Sequence, residues 1–171
     1  MNEKERQERI YYIKDCAANE KKYWRSFLKE SQEERRGIEP GLGVDLSEIL
    51  KLTDAALYFL RIVRECFNIH EKTLVITSLI SDRKKVKAKS RSHGEGRAFD
   101  IRTMGVDKII LALVRAKLEG GGCAGVGALA EEEGKDGKIK LVERPIVGES
   151  HGNGPHWHIQ VRNEKDLFKN F

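Results

Sequence analysis

Two short stretches, RAFDIR at residues 97–102 and HWHIQV at residues 156–161, alternate in character residue by residue, a period that suits a half-buried strand and not a helix. In the first, Ala98, Asp100 and Arg102 share one face while Phe99 and Ile101 share the other. In the second, His156 and His158 point the same way and Trp157 the opposite way. Each strand thus turns acid–base or ligand groups to one side and apolar groups to the other. Such strands require a sheet with one face for chemistry and one for packing. The expected class is α+β, an antiparallel sheet with its functional groups on one face and helices packed on the other.

Helices to cover that sheet are available. Residues 3–36 are rich in Glu, Lys, Arg and Gln, with Ile10, Ile13, Ala17, Trp24, Phe27 and Leu28 at near-helical intervals, which predicts an amphipathic helix ended by Gly37 and Pro40-Gly41. Asp45 followed by Glu48 predicts the cap of a second helix, whose apolar face is Leu46, Ile49, Leu50, Leu57, Leu60, Val63 and Phe67. TLVITSLI, residues 73–80, reads as a strand that stops in the charged loop SDRKKVKAKSRSHGEG. VDKIILALVRAKL, residues 106–118, predicts a third helix closed by Gly120-Gly121-Gly122, with a loop or hairpin and then a strand at 138–143 after it. The division expected is a helical segment over 1–40 and a sheet-bearing domain over 41–171.

Four of the five histidines fall in two segments, His93 in SRSHGEGRAFDI and His151, His156 and His158 in ESHGNGPHWHIQV. Asp100 follows His93 by seven residues, across a turn eased by Gly94 and Gly96, so a loop histidine can fold back beside a strand carboxylate. Two imidazoles and one carboxylate form a common catalytic zinc set that leaves a fourth tetrahedral position open for water. His93, Asp100 and His158 are therefore the expected metal ligands and Zn2+ the expected cofactor. Zinc brings the pKa of water from about 15.7 toward 7, which suits hydrolysis. His70 stands apart from these segments and reads as a surface histidine.

Composition narrows the setting. With 171 residues the chain has room for one ordinary domain. The net charge of +5 attracts polyanions without specificity, while acidic and basic residues are mixed closely enough over the first 36 to argue against a dedicated nucleic-acid face. Cys16, Cys66 and Cys123 are odd in number and lack CxxC spacing, so neither a disulfide framework nor a cysteine zinc knuckle is expected. No apolar run reaches the roughly 18 residues of a membrane span, and MNEKERQERI is charged where a signal peptide is apolar, so synthesis in the cytoplasm with no membrane partner is expected.

SRSHGEGRAFDI resembles the S-x-H-x-x-G-x-A-x-D motif of D-alanyl-D-alanine dipeptidases, carboxypeptidases and related phage endolysins, in which the His and Asp bind zinc. His93, Gly96, Ala98 and Asp100 match it, and Arg91 takes the serine position between Ser90 and Ser92. GNGPHWHIQV resembles the terminal H-x-H strand of these enzymes, of lysostaphin-type endopeptidases and of the hedgehog signalling domain, which implies His158 as the third ligand. The resemblance covers about residues 45–162. Pro155 stands where the dipeptidase group has its catalytic Glu, and the G-x-G-P-H-x-H ending is closer to the lysostaphin type, implying His156 as general base, with His151 and Glu149 as alternatives. The dipeptidase pattern T-S-x-x-R would place Arg at 81, where this chain has Ser81; Arg83 two residues on is the expected substrate-binding cation. Gln160 shares the face of His156 and His158 and is a second expected substrate contact, while Arg97 or Arg102 is expected to pair with Asp100 or to face water.

The function this resemblance implies is zinc-dependent hydrolysis of an amide bond in the stem or cross-bridge peptides of peptidoglycan, in a phage lysis enzyme released to the cell wall or carried in a virion. A catalytically inert zinc-binding recognition module of the same fold is the alternative. A nucleic-acid or scaffold protein assembled through the N-terminal helix, which can also mediate protein contacts, is a further rival.

Overall fold

The computed structural model describes residues 2–80, 91–120, 129–133, 139–143, 148–149 and 156–161. Helix α1 spans Glu3–Lys29, and Asn2 caps it in a reciprocal pair with Glu5. Its amphipathic face is the one expected: Ile13, Ala17, Trp24 and Phe27 are buried, and Ile10 and Leu28 pack at the margin. The helix stops at Lys29 and not near residue 36. Ser31 and Glu34 exchange side-chain-to-backbone hydrogen bonds in a separate turn, a local alternative to helix that Ser offers readily.

The expected second helix is two elements. Asp45 does cap, accepting from the Ser47 amide at 2.9 Å, but what it caps is a 3-10 segment, Leu46–Lys51. Leu52 and Thr53 are extended, and Thr53 then caps α2, Asp54–Ile69, by accepting from the Ala56 amide. The break has a cause outside the helix, because the Thr53 amide donates to the carbonyl of Gly96 at 2.9 Å.

The remaining elements are β1 (Ile38–Pro40), β2 (Leu74–Ser78), the single turn α3 (Arg91–Gly94), β3 (Ala98–Arg102), α4 (Lys108–Gly120), β4 (Leu129–Glu133), β5 (Ile139–Glu143), β6 (Gly148–Glu149) and β7 (His156–Gln160). Five strands form one sheet in the order β1-β2-β3-β7-β6, and β4 and β5 pair as a separate antiparallel ribbon. The sheet is mixed and not purely antiparallel as expected. β1 runs parallel to β2, which is possible because the 3-10 segment and α2 lie between them in the chain and carry it back to the same end.

One side of the sheet is apolar. Ile76, Phe99, Ile101, Trp157 and Ile159 share a single core with Leu57, Leu60, Val63 and Phe67 of α2 and with Ile110, Val114 and Leu118 of α4. Helix α1 belongs to the same core and is fixed to α2 by a buried carboxylate. Glu20, 2% exposed, accepts from the Trp24 indole at 3.0 Å and from the Arg64 guanidinium, which also lies 3.8 Å over the ring of Tyr23. Cys16 and Cys66 are buried free thiols, while Cys123 lies outside the described residues. Among the described residues no helix is long and apolar enough to cross a membrane.

A charge buried this deeply depends on its partner. Arg64→Met strands the Glu20 carboxylate and is expected to lower the unfolding free energy by about 3–5 kcal/mol. Glu20→Met with Arg64→Met is expected to cost less than Arg64→Met alone, in urea unfolding followed by circular dichroism.

Candidate metal centre

The register of β3 against β7 assembles the site. Asp100 pairs with His158, Arg102 with His156 and Ala98 with Gln160, so these six residues share one sheet face, while Phe99, Ile101, Trp157 and Ile159 take the other. A bulge in β2 lets Ile76 stay opposite Ile101 in the core while Ser78 comes opposite Asp100 on the polar face. Just past the bulge the carbonyl of Leu79 accepts a hydrogen bond from Nδ1 of His93 at 2.8 Å.

His93 arrives from α3, and Gly96 makes its return possible. Gly96 has φ +71°, and a Cβ there would meet the Lys51 carbonyl oxygen at 2.7 Å. The Gly96 amide donates to the His93 carbonyl and the Arg97 amide to the Ser92 carbonyl, a tight turn that delivers the imidazole over β3. Gly94 has open space around its Cβ position and no left-handed backbone, so of the two glycines noted in the sequence only Gly96 is required by geometry.

Three atoms converge. Nε2 of His93 lies 3.1 Å from Oδ1 of Asp100 and 3.1 Å from Nδ1 of His158, and that Nδ1 is 2.8 Å from the same Oδ1. His93 and Asp100 are buried and His158 is partly buried. The outer nitrogens of both rings face carbonyl oxygens, Leu79 for His93 and the Gln160 side chain, at 3.0 Å, for His158. A carbonyl only accepts, so each neutral ring carries its proton outward and turns a lone pair inward. Two lone pairs and a carboxylate oxygen at such separations repel one another unless a cation lies among them. Ligand atoms on a tetrahedral zinc ion stand about 3.3 Å apart, so the triangle needs to open by only a few tenths of an ångström. These residues fit a metal ion, and the group His93, Asp100 and His158 could hold one.

Burial pushes the Asp100 carboxyl pKa up, but when the His158 and His93 rings are protonated, hydrogen bonds from their inward N–H groups and their charge outweigh it and hold the group well below the usual carboxylate range.

His156 lies on the same face, its Nε2 3.7 Å from Oδ2 of Asp100, too far for a hydrogen bond and near enough to share the site. Ala98 and Gln160 at one end of the face are fully covered, and Arg102 at the other is exposed. Comparison with family models, curated proteins and solved structures gives no match. The site rests on its geometry.

Of the other expected residues, Arg83 and His151 lie outside the described residues. Glu149 pairs with Trp157 in the register of β6, and Gly148 holds the place beside His158. Gln160 is fully buried and gives its carbonyl to His158. Arg97 donates to Glu95 and to the Val161 carbonyl. The Leu79 carbonyl had no signal in the sequence, because a backbone acceptor leaves none.

Two outcomes follow for metal binding. Gly96→Ala is expected to lose the His93 turn and weaken metal affinity by at least about tenfold, through left-handed strain of about 1–3 kcal/mol and the clash with Lys51, whereas Gly94→Ala binds nearly as the parent does. A protonated imidazole cannot bind an ion, so affinity is also expected to fall as the pH falls. Chelator competition at a series of pH values measures both.

Proposed function

We propose that the chain is a zinc-dependent peptidase that hydrolyses an amide bond in peptidoglycan stem or cross-bridge peptides. The observation that carries the reading is the convergence of two inward-facing imidazole lone pairs and one carboxylate oxygen, with a further histidine on the same sheet face. A site rich in imidazole, with a single carboxylate, suits zinc better than magnesium or calcium, which take oxygen ligands. Three protein ligands are the number that catalytic zinc sites use. The resemblance of the His93–Asp100 and His156–His158 segments to the dipeptidase and lysostaphin groups supplies the substrate class.

His93, Asp100 and His158 would hold the zinc ion, which would supply Lewis acidity and an acidified water at neutral pH. The residues of the chain do the rest. His156 stands on the same face and takes the proton of the attacking water as the new C–O bond forms. It returns that proton to the amine as the C–N bond breaks, so it ends the cycle as it began. Arg102, across from His156 in the register and exposed, has no hydrogen bond or ion pair among the described residues and is placed to meet a carboxylate of the peptide. The fully covered Ala98–Gln160 end closes the site from behind, so substrate enters from the Arg102 side.

Purified protein with zinc, incubated with cell walls, is expected to release new amino groups. His158→Ala is expected to lose both the metal and the release. His156→Ala is expected to keep the metal while release falls about 10²- to 10⁴-fold, the contribution of a general base. No release by folded, zinc-loaded protein would overturn the peptidase reading and leave a zinc-binding recognition module.

A further inference from the structure

We infer that Gln160 is a positioning residue for the metal centre: its carbonyl fixes the tautomer of His158 so that Nδ1, and not Nε2, is the nitrogen offered to the ion. The inference rests on the zinc reading above and gives Gln160 a role in it, that of setting which nitrogen one of the ligands offers.

Gln160 is fully buried on the ligand face of β7, two residues beyond His158, and its Oε1 accepts from Nε2 of His158 at 3.0 Å. Its own amide nitrogen, equally buried, has no hydrogen-bond partner among the described residues. Buried amides are normally satisfied at both ends, so the position keeps a costly polar group for the sake of one contact. A residue retained for packing alone would be Met or Leu, of similar size and without that cost. Across the strand pair stands Ala98, whose small side chain leaves the amide room beside the sheet.

The contact has a definite effect. A carbonyl accepts and cannot donate, so it holds the His158 proton on Nε2 and leaves Nδ1 as a lone pair facing Nε2 of His93 and Oδ1 of Asp100. Without it, His158 can carry its proton on Nδ1 and donate to Asp100 only 2.8 Å away, which closes the triangle with a proton in place of a cation. Gln160 therefore biases the centre toward the metal. The backbone carbonyl of Leu79 does the same for His93 and cannot be lost by substitution, which makes Gln160 the replaceable half of the arrangement.

Two measurements test this. In metal-free protein carrying isotopically labelled histidine, long-range proton–nitrogen correlation spectra of the neutral rings are expected to show His158 protonated on Nε2 and bare on Nδ1. Gln160→Met, which lacks an acceptor, is expected to lose that preference and to bind zinc about 10–100-fold more weakly in competition with a chromophoric chelator. Gln160→Glu, which keeps an acceptor at the same reach, is expected to recover most of the affinity. A His158 ring protonated on Nδ1 in the unsubstituted protein would overturn the inference, and so would a folded Gln160→Met protein that binds zinc as tightly as the parent. If Gln160→Met does not fold, the ring spectrum of the unsubstituted protein decides. If the unsubstituted protein binds no zinc, the zinc reading fails, and the same spectrum still judges the role of Gln160.

Discussion

The pairing of Asp100 with His158 across β3 and β7 is the constraint on which the rest of the site depends, because it sets a carboxylate and an imidazole side by side. The side-chain period of a strand is two, so a slip of one residue would turn Asp100 into the core and Phe99 toward solvent. The apolar partners on the reverse face prevent it. Phe99 against Ile159 and Ile101 against Trp157 lock the register by burial, and the polar face inherits its geometry from that packing. Function on one side of the sheet is thus specified by hydrophobic contact on the other.

The third member of the group depends on a different support. His93 comes from a turn and not from a strand, and a turn holds position only if something fixes its ends. Gly96 accepts from the Thr53 amide and lies against the Lys51 carbonyl, which ties the turn to the junction of the 3-10 segment and α2. That junction is in turn part of the core to which α1 is fastened through Glu20 and Arg64. A long N-terminal helix that the sequence presents as an appendage is therefore connected, through α2, to the residue that completes the triangle.

Much of this was legible in the chain. Alternation in RAFDIR and HWHIQV correctly separated Asp100, His156 and His158 from Phe99, Ile101 and Trp157, because a period of two has one structural meaning in a half-buried sheet. The apolar faces of α1 and α2 followed from a helical period in the same way. What could not be read was decided by partners remote in sequence. The break at Leu52-Thr53 answers to Gly96, and β1 and β6 are too short to show a period and exist through their pairing with β2 and β7. The parallel β1–β2 pair and the early end of α1 at Ser31 belong to the same class. Gln160 was visible as a residue on the ligand face, but its contact with His158 depends on a rotamer and on burial that the sequence does not state.

The ligand-type atoms of His93, Asp100 and His158 lie within 3.1 Å of one another, and the account stands on a cation held among them. Zinc-edge X-ray absorption on the protein loaded with one equivalent of zinc tests this most directly. The account predicts a four-coordinate ion with two imidazole nitrogens and lighter oxygen donors at about 2.0–2.1 Å. An ion surrounded by water, or one without imidazole scattering, would contradict it.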